Sequence, residues 1–155
     1  GKKPAVLETM IDIGVTGKIP EQYISSATRR LSMYRRLAAC EDPASVVVIV
    51  NDLRSGYGEL PNAVVALVQY HELRLAASSI GVVSMTIDEQ DVVIRTKDPD
   101  FLRSTMAKVS GSLRPVGVPS STGFGAVYYR PADKDNAAQL LTHLHTQLVK
   151  SSSLE

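Results

Sequence analysis

The chain has 155 residues, of which 44% are hydrophobic, and its 17 Lys and Arg nearly balance its 16 Asp and Glu for a formal net charge of +1. This apolar fraction excludes wholesale disorder, and the near-neutrality excludes a sequence-wide attraction to nucleic acid or to an anionic membrane. No apolar run approaches the roughly 18 residues that span a bilayer, so we predict no membrane segment. The single Cys40 cannot form an internal disulfide, which fits a reducing cytoplasm.

The N-terminal part of the chain predicts a strand followed by a helix. Apolar and polar residues alternate from about Ala5 to Gly14, which is typical of a half-buried strand. From Glu21 to about Cys40 the period becomes helical, with Arg29 and Arg36 on the face opposite the apolar stripe. The predicted inward residues of this helix are Tyr23, Ile24, Ala27, Leu31, Tyr34 and Ala38.

Two further helices are predicted between residues 42 and 81. Asp42-Pro43 is typical of an N-cap and first turn. Val46 to Val50 are β-branched and would also suit a buried strand, but we favour a helix that ends at Arg54-Ser55-Gly56. A turn at Tyr57 to Pro61 leads into the longest helix, which ends at Gly81 and is apolar on two faces, as expected of a central helix. One face carries Val64, Leu67, Val68, His71 and Leu75, and the other carries Ala66, Tyr70, Leu73, Ala77 and Ile80.

The remaining chain alternates short strands with helices. The predicted order is a hairpin of Val82–Ile87 and Val92–Thr96, a helix from Asp98 to about Gly111, a loop from Pro115 to Gly125, a strand over Ala126–Arg130 and a last helix capped by Asp133. The fold class is therefore α+β, with an N-terminal strand, a three-helix cluster, and then a small antiparallel sheet with two further helices.

Each candidate catalytic or metal-binding residue has a more ordinary structural explanation. Ile87 to Gln90 resembles the acidic strand end of a nucleotide hydrolase, but the chain has no Gly-rich phosphate loop with Lys. The glycines between Gly111 and Gly125 match no phosphate-binding fingerprint. His143 and His145 would point about 200° apart on a helix and cannot chelate one metal ion. His71 lies on an apolar stripe, without a recognisable nucleophile nearby. We predict no catalysis, no metal and no cofactor for this chain.

Four segments, in order and in register, carry a resemblance to a known family. Gly14 to Ile24 ends in an "IPxxYI" pattern, and Arg30 to Ala38 follows an "RLxxYKRLA" helix. Tyr57 to Pro61 matches a "[FY]GxLP" turn, and Glu72 to Leu75 matches the start of an "ELRxxA" helix. Over about residues 11 to 96 the chain thus resembles the C-terminal module of the bacterial transcription-repair coupling factor family.

The resemblance implies a regulatory part of a larger machine. That family is a DNA-translocating ATPase, using ATP and Mg²⁺, that removes stalled RNA polymerase and recruits excision repair. Its C-terminal module packs against the N-terminal module that binds UvrA and thereby restrains the protein. The resemblance implies that residues 1–150 form this non-catalytic module, with the N-terminal module of the same chain as their partner. We expect residues 151–155 to be a disordered tail or cloning remnant.

The resemblance also implies where the partner binds. The family usually has an acidic residue, two apolar residues and an Asp-Arg pair before "[FY]G". Here Asp52 takes the acidic position, Arg54 takes an apolar one, and Ser55-Gly56 replace Asp-Arg. We therefore predict an interface at Asp52, Arg54, Ser55 and Tyr57, with Tyr57 as an aromatic anchor. The alternative for Tyr57 is that it only helps to turn the chain.

A second hypothesis uses a different class of partner. The helix face that carries Arg29 and Arg36 could contact phosphates, which would make the module a nucleic-acid-contacting accessory domain. The scarcity of aromatic residues, with no Trp and two Phe, disfavours a single-strand binder.

Overall fold

A computed structural model describes residues 9–14, 16–106, 111–116, 125–131 and 144–146. Its strands are β1 (Met10–Asp12), β2 (Val82–Asp88), β3 (Asp91–Thr96), β4 (Ser112–Val116) and β5 (Gly125–Arg130). Its helices are α1 (Ala27–Ala38), α2 (Pro43–Tyr57), α3 (Asn62–Ser79) and α4 (Pro99–Thr105). The predicted α+β class is confirmed, and helices α1 to α3 form the predicted cluster between the first strand and the hairpin.

The strands form one mixed sheet in the order β1-β2-β3-β5-β4. The predicted N-terminal strand joins this sheet beside β2 and runs parallel to it, whereas the other pairs are antiparallel. A parallel neighbour needs a long crossover, and α1, α2 and α3 supply it. Ile11 and Ile13 are buried while Met10 is exposed, which confirms the predicted alternation.

Strand β4 lies where we predicted the start of a loop, so the prediction for Pro115 and Val116 was wrong. Among the described strands, β4 pairs only with β5, with Pro115 opposite Val127. A proline has no amide hydrogen to donate, and an edge strand tolerates it because one side of the strand needs no donor. Residues 117–124 of the predicted loop lie outside the described residues, as does the predicted helix from Asp133 apart from Leu144–Thr146, which are helical.

Helix α3 separates two hydrophobic clusters, as its two apolar faces predict. One face packs on the sheet, where Leu73 and Ala77 contact residues such as Met85 and Ile94. The opposite face packs on the other helices, where Val64 and Leu67 join the cluster around α1 and α2. No helix in the described part of the chain is long and apolar enough to cross a membrane.

Helix α2 resolves the conflict between β-branched composition and helical caps in favour of the helix. The Asp42 side chain accepts a hydrogen bond from the Ser45 amide at 2.8 Å, as predicted. Val46, Ile49 and Leu53 are buried at helical spacing, and this burial outweighs the modest helical cost of β-branching. The helix extends one residue past the predicted Gly56, to Tyr57, because Gly58 adopts φ 88° and ends it.

Helix α1 begins later than predicted, and the predicted inward stripe is only partly confirmed: Ile24, Tyr23 and Tyr34 pack in the helical cluster, but other members do not. Residues 21–23 form a turn, and the Ser26 side chain caps the helix by accepting from the Arg29 amide. Leu37 is fully buried, with Met33 and Tyr34 packed beside it. Leu31, which we predicted to face inward, is 48% exposed. The predicted inward residues Ala27 and Ala38 are also exposed. The later start and the crossing with α3 select this face.

Polar contacts fix the ends of α1 against its neighbours. The Arg74 guanidinium lies 3.5 Å from the carbonyl oxygens of Leu37, Ala38 and Cys40, where a cation complements the helix C-terminus. The Tyr34 hydroxyl accepts a hydrogen bond from the Ile19 amide at 2.7 Å. These contacts tie the loop before α1 and the end of α1 to the helical cluster.

The loop before α1 passes against α3 so closely that only glycine fits. Gly17 has φ 73°, and the next amide, from Lys18, donates to the Ala63 carbonyl at 3.1 Å. A Cβ atom at Gly17 would lie 2.1 Å from the Leu67 backbone nitrogen. Gly17, which precedes the "IPxxYI" pattern, therefore serves close backbone packing.

We expect Gly17→Ala to lower the free energy of unfolding by at least about 2 kcal/mol, because the methyl group meets α3 backbone in a left-handed conformation. Gly56→Ala is the matched control, since nothing lies within 4 Å of its added Cβ, and it should stabilise α2 by about 0.5 kcal/mol. Urea unfolding measures both. Equal midpoints for the two variants would contradict the close packing at Gly17.

Candidate functional site

The potential catalytic side chains among the described residues are engaged in packing. Burial, and then the neighbouring charge of Arg74, lower the pKa of His71 to about 4, so its ring is neutral at pH 7. Burial also raises the pKa of the Cys40 thiol, which makes its thiolate rarer. His145 Nε2 lies 3.1 Å from Glu72 Oε1. No group of three metal-ligating side chains occurs in the part of the chain that is described.

The exposed side of α2 has the properties of a protein-binding surface. Val48, Asp52 and Ser55 follow one another at helical spacing and are all exposed. Val47 and Val48 are 54% and 55% exposed, so the helix presents two neighbouring apolar side chains to solvent. We call this surface the α2 face, and its members are Val47, Val48, Asp52, Arg54 and Ser55.

Our sequence reasoning missed the two valines, although a signal was present. In a helix only residues three or four apart share a face, so Val46 and Ile49 can be buried together. Val47 and Val48 must then point elsewhere. A run of five β-branched residues that forms a helix therefore predicts some exposed apolar surface.

An open groove of about 350 Å³ continues the α2 face towards α1. Its lining residues are Arg36, Ala39, Cys40, Ser45, Val48 and Ile49. The groove is therefore partly apolar, and Val48 belongs both to it and to the α2 face.

The structure joins one residue from each of our two predicted interfaces. Arg36 Nη2 lies 2.6 Å from Asp52 Oδ2, with 38% and 50% of the two side chains exposed. Arg36 also contacts the sulfur of Met33. The charge of Arg36 is thus partly neutralised by Asp52, whereas Arg29 lies two helical turns away and is exposed. The arginine face of α1 is less positive than its sequence implies.

Tyr57 is half-buried in the helical cluster, at the edge of the α2 face. Its ring centroid lies 5.7 Å from that of Tyr23, at an interplanar angle of 53°. The Tyr23 hydroxyl in turn donates towards the carbonyl oxygens of Gly58 at 2.7 Å and Leu53 at 3.2 Å. These contacts give Tyr57 and Gly58 a packing role at the end of α2. A partner could reach only the part of Tyr57 that stays exposed.

Comparisons with known proteins agree on one family. The profile described as "TRCF domain" matches residues 13–106. The transcription-repair-coupling factor of Mycobacterium tuberculosis is 35% identical over 79 residues, which are 51% of this chain and 6% of that protein. The factor of Haemophilus influenzae is 32% identical over 95 residues, 58% of this chain and 8% of that protein. A Helicobacter pylori factor is 25% identical over 148 residues, 96% of this chain and 13% of that protein.

A solved structure has the same fold over nearly the whole chain. It is described as the crystal structure of the C-terminal domain of transcription-repair coupling factor, and it superposes with a TM-score of 0.73 over 96% of each chain, at 13% sequence identity. The matched part of this chain corresponds to only 6% to 13% of the length of these curated relatives.

We expect the Arg36–Asp52 pair to contribute little to folding, because both side chains are well solvated. In a double-mutant cycle of Arg36→Gln and Asp52→Asn, the coupling in unfolding free energy should be below about 1 kcal/mol and should decrease in high salt. Urea unfolding at low and high salt measures it. A larger coupling, insensitive to salt, would mean that the pair is a structural element of the cluster.

We expect the protein to lose stability in acid through His71. Below pH 6.5, the ordinary pKa, the unfolded chain takes up a proton that the folded chain accepts only near pH 4. The contribution of His71 to stability is therefore full only above about pH 7, and it falls by about 3 kcal/mol between pH 7 and pH 4. His71→Gln should flatten this slope, while the control His145→Gln should leave the contribution of His71 in place. Identical slopes for wild type and His71→Gln would refute this assignment.

Proposed function

This chain belongs to the TRCF-domain family, and from that membership we propose that it is a non-catalytic regulatory module of a transcription-repair coupling factor. The proposed partner is the N-terminal UvrA-binding module of the same protein, which the α2 face covers. The rest of the parent protein would supply the ATP- and Mg²⁺-dependent DNA translocase and the contacts with RNA polymerase and UvrA. The proposed location is the cytoplasm.

The adjacent exposed valines of the α2 face are the observation that carries this proposal. Val48 lies one turn before Asp52 and two turns before Ser55, so an apolar residue and two polar residues share one helix side, with Val47 beside them. Interfaces between domains of one chain have this mixed character. A helix that met only water would gain nothing from displaying Val47 and Val48.

Tethering lets such a small surface act as a restraint. A partner on the same chain has an effective concentration near the millimolar range, so a weak interface still keeps a site covered. The restraint is released when a second ligand favours the open form by a few kcal/mol. Engagement of polymerase and DNA by the parent protein would supply that difference.

The local sequence implies a weaker restraint here than in relatives that keep the usual charges. Ser55-Gly56 replace the Asp-Arg pair, which removes two charges from the α2 face and its edge. Asp52 is already engaged by Arg36, so a cation on the partner would share this carboxylate or replace Arg36. We propose that the valines contribute more of the binding energy than the remaining ion pairs.

The alternative function remains a nucleic-acid contact through Arg29 and Arg36. Salt dependence separates the two hypotheses, because each phosphate contact lowers the log–log slope of affinity against salt by about 0.9. An interface built on two valines and few ion pairs should depend only weakly on salt. The Arg36–Asp52 pair disfavours the alternative, since a phosphate would have to compete with a carboxylate at 2.6 Å.

We expect the isolated N-terminal module of the parent protein to bind this chain, and calorimetry should show about tenfold weaker binding for Val48→Ser. Asp52→Ala with Arg54→Ala should weaken it less, since both side chains are exposed. Val65→Ser on α3 is the matched control, because Val65 is an exposed valine on another helix.

Two results would contradict the proposed interface. If Val48→Ser and Val65→Ser bind equally well, the α2 face is not the contact. If an oligonucleotide binds this chain with an affinity that falls steeply with salt and depends on Arg29→Gln, the nucleic-acid alternative gains support instead.

A further inference from the structure

The sheet has two faces, and the helices of the described chain pack on one of them. Met85, Ile94 and Val127 are aligned across β2, β3 and β5, and all are buried with Leu73 of α3 and Leu102 of α4. The residues that alternate with them face the other way. We call this second surface the outer sheet face, and its central members are Val93, Arg95, Ala126, Tyr128, Arg130 and Arg114.

Three arginines surround one tyrosine on the outer sheet face. Tyr128 of β5 is paired with Val93 on one side and with Arg114 on the other. Arg95 is paired with Ala126, and Arg130 lies two residues after Tyr128 on β5. The Arg114 guanidinium carbon lies 5.2 Å from the Tyr128 ring centroid. Arg114 and Arg130 keep 66% and 55% of their side chains exposed.

One buried carboxylate holds two of these arginines in place. Asp91 accepts hydrogen bonds from Arg130 Nε at 2.8 Å and Nη2 at 3.2 Å, and Arg114 Nη2 lies 3.8 Å from its Oδ2. The hydrogen bond from Arg130 lowers the pKa of Asp91, so the carboxylate stays charged at pH 7. Only 11% of the Asp91 side chain is exposed. Asp88, which is paired with Asp91, and Glu89, which acts on Arg130, add exposed negative charge at the hairpin end of the face. The positive part of the face is therefore the side that carries Arg95 and Arg114.

We propose that the outer sheet face binds an acidic polypeptide segment of a partner protein. Guanidinium groups bind carboxylates in bidentate geometry, and tyrosine and arginine dominate the energetics of protein interfaces. Half-buried Ala126 and Tyr128 provide the apolar surface between the arginines. Arg95 and Arg114 stand on strands that flank β5 and are offset by two residues in register, so their backbones lie roughly 12 Å apart. This spacing matches carboxylates four residues apart, which lie on the same side of an extended segment.

The same contacts favour a protein over a nucleic acid as the occupant. Single-strand binders offer aromatic rings on which successive bases stack. Here Tyr128 is the one described aromatic side chain in the centre of the face, and Arg114 already lies over its ring. A base that stacked on this side would displace the guanidinium that a phosphate needs.

A fluorescence anisotropy titration tests this inference on the whole chain. The probe is a labelled peptide of about 12 residues with Asp at every fourth position, compared with the same peptide carrying Asn and with an oligothymidylate of similar charge. The test variant is Arg95→Gln with Arg114→Gln. The matched control is Arg29→Gln with Arg35→Gln, which removes the same charge from α1. Asp91 and Arg130 stay unchanged because their pair joins β3 to β5.

The expected result is binding of the Asp peptide that is about tenfold weaker for the sheet variant and unchanged for the α1 variant. The Asn peptide and the oligothymidylate should bind more weakly than the Asp peptide. The inference is overturned if the Asp peptide does not bind, if both double variants lose affinity equally, or if the oligothymidylate binds more tightly. These outcomes are independent of the α2 face, because neither double variant alters it.

Discussion

The fold depends on α3 being buried from two sides. Its sheet-facing residues, such as Leu73, and its helix-facing residues, such as Leu67, are almost wholly withdrawn from water. Neither hydrophobic cluster is complete without this helix, since each is built on one of its faces. A central helix of this kind makes the sheet and the helical cluster one cooperative unit, because burial of apolar surface is the main driving force on both sides.

The family resemblance rests largely on residues that hold this arrangement together. In the segment Glu72 to Leu75, Leu73 packs on the sheet and Leu75 on the helices, while Arg74 caps α1 and Glu72 contacts His145. The motif therefore reports how the module is assembled rather than how it acts. The two surfaces with functional potential, the α2 face and the outer sheet face, lie outside that scaffold.

Individual predictions succeeded where residues close together in the chain determine the structure, and failed where distant residues determine it. The Asp42 cap and the Arg54-Ser55-Gly56 ending are local signals, and they identified α2 despite its β-branched composition. β4 was missed because a proline excludes only a central strand, and edge position depends on pairing with β5 much later in the chain. For α1, the orientation depends on its crossing with α3, so periodicity alone selected Leu31 wrongly as a buried residue.

Composition, periodicity and motif order established the α+β class, the central position of α3 and the family. Each of these depends on the identity and spacing of residues that are close together in the chain. Packing alone decided which side chains reach solvent. Val47 and Val48 are exposed because Val46 and Ile49 occupy the core side of α2. Arg36 contacts Asp52 because α1 and α2 lie side by side. The local sequence pattern does not predict long-range contacts of this kind.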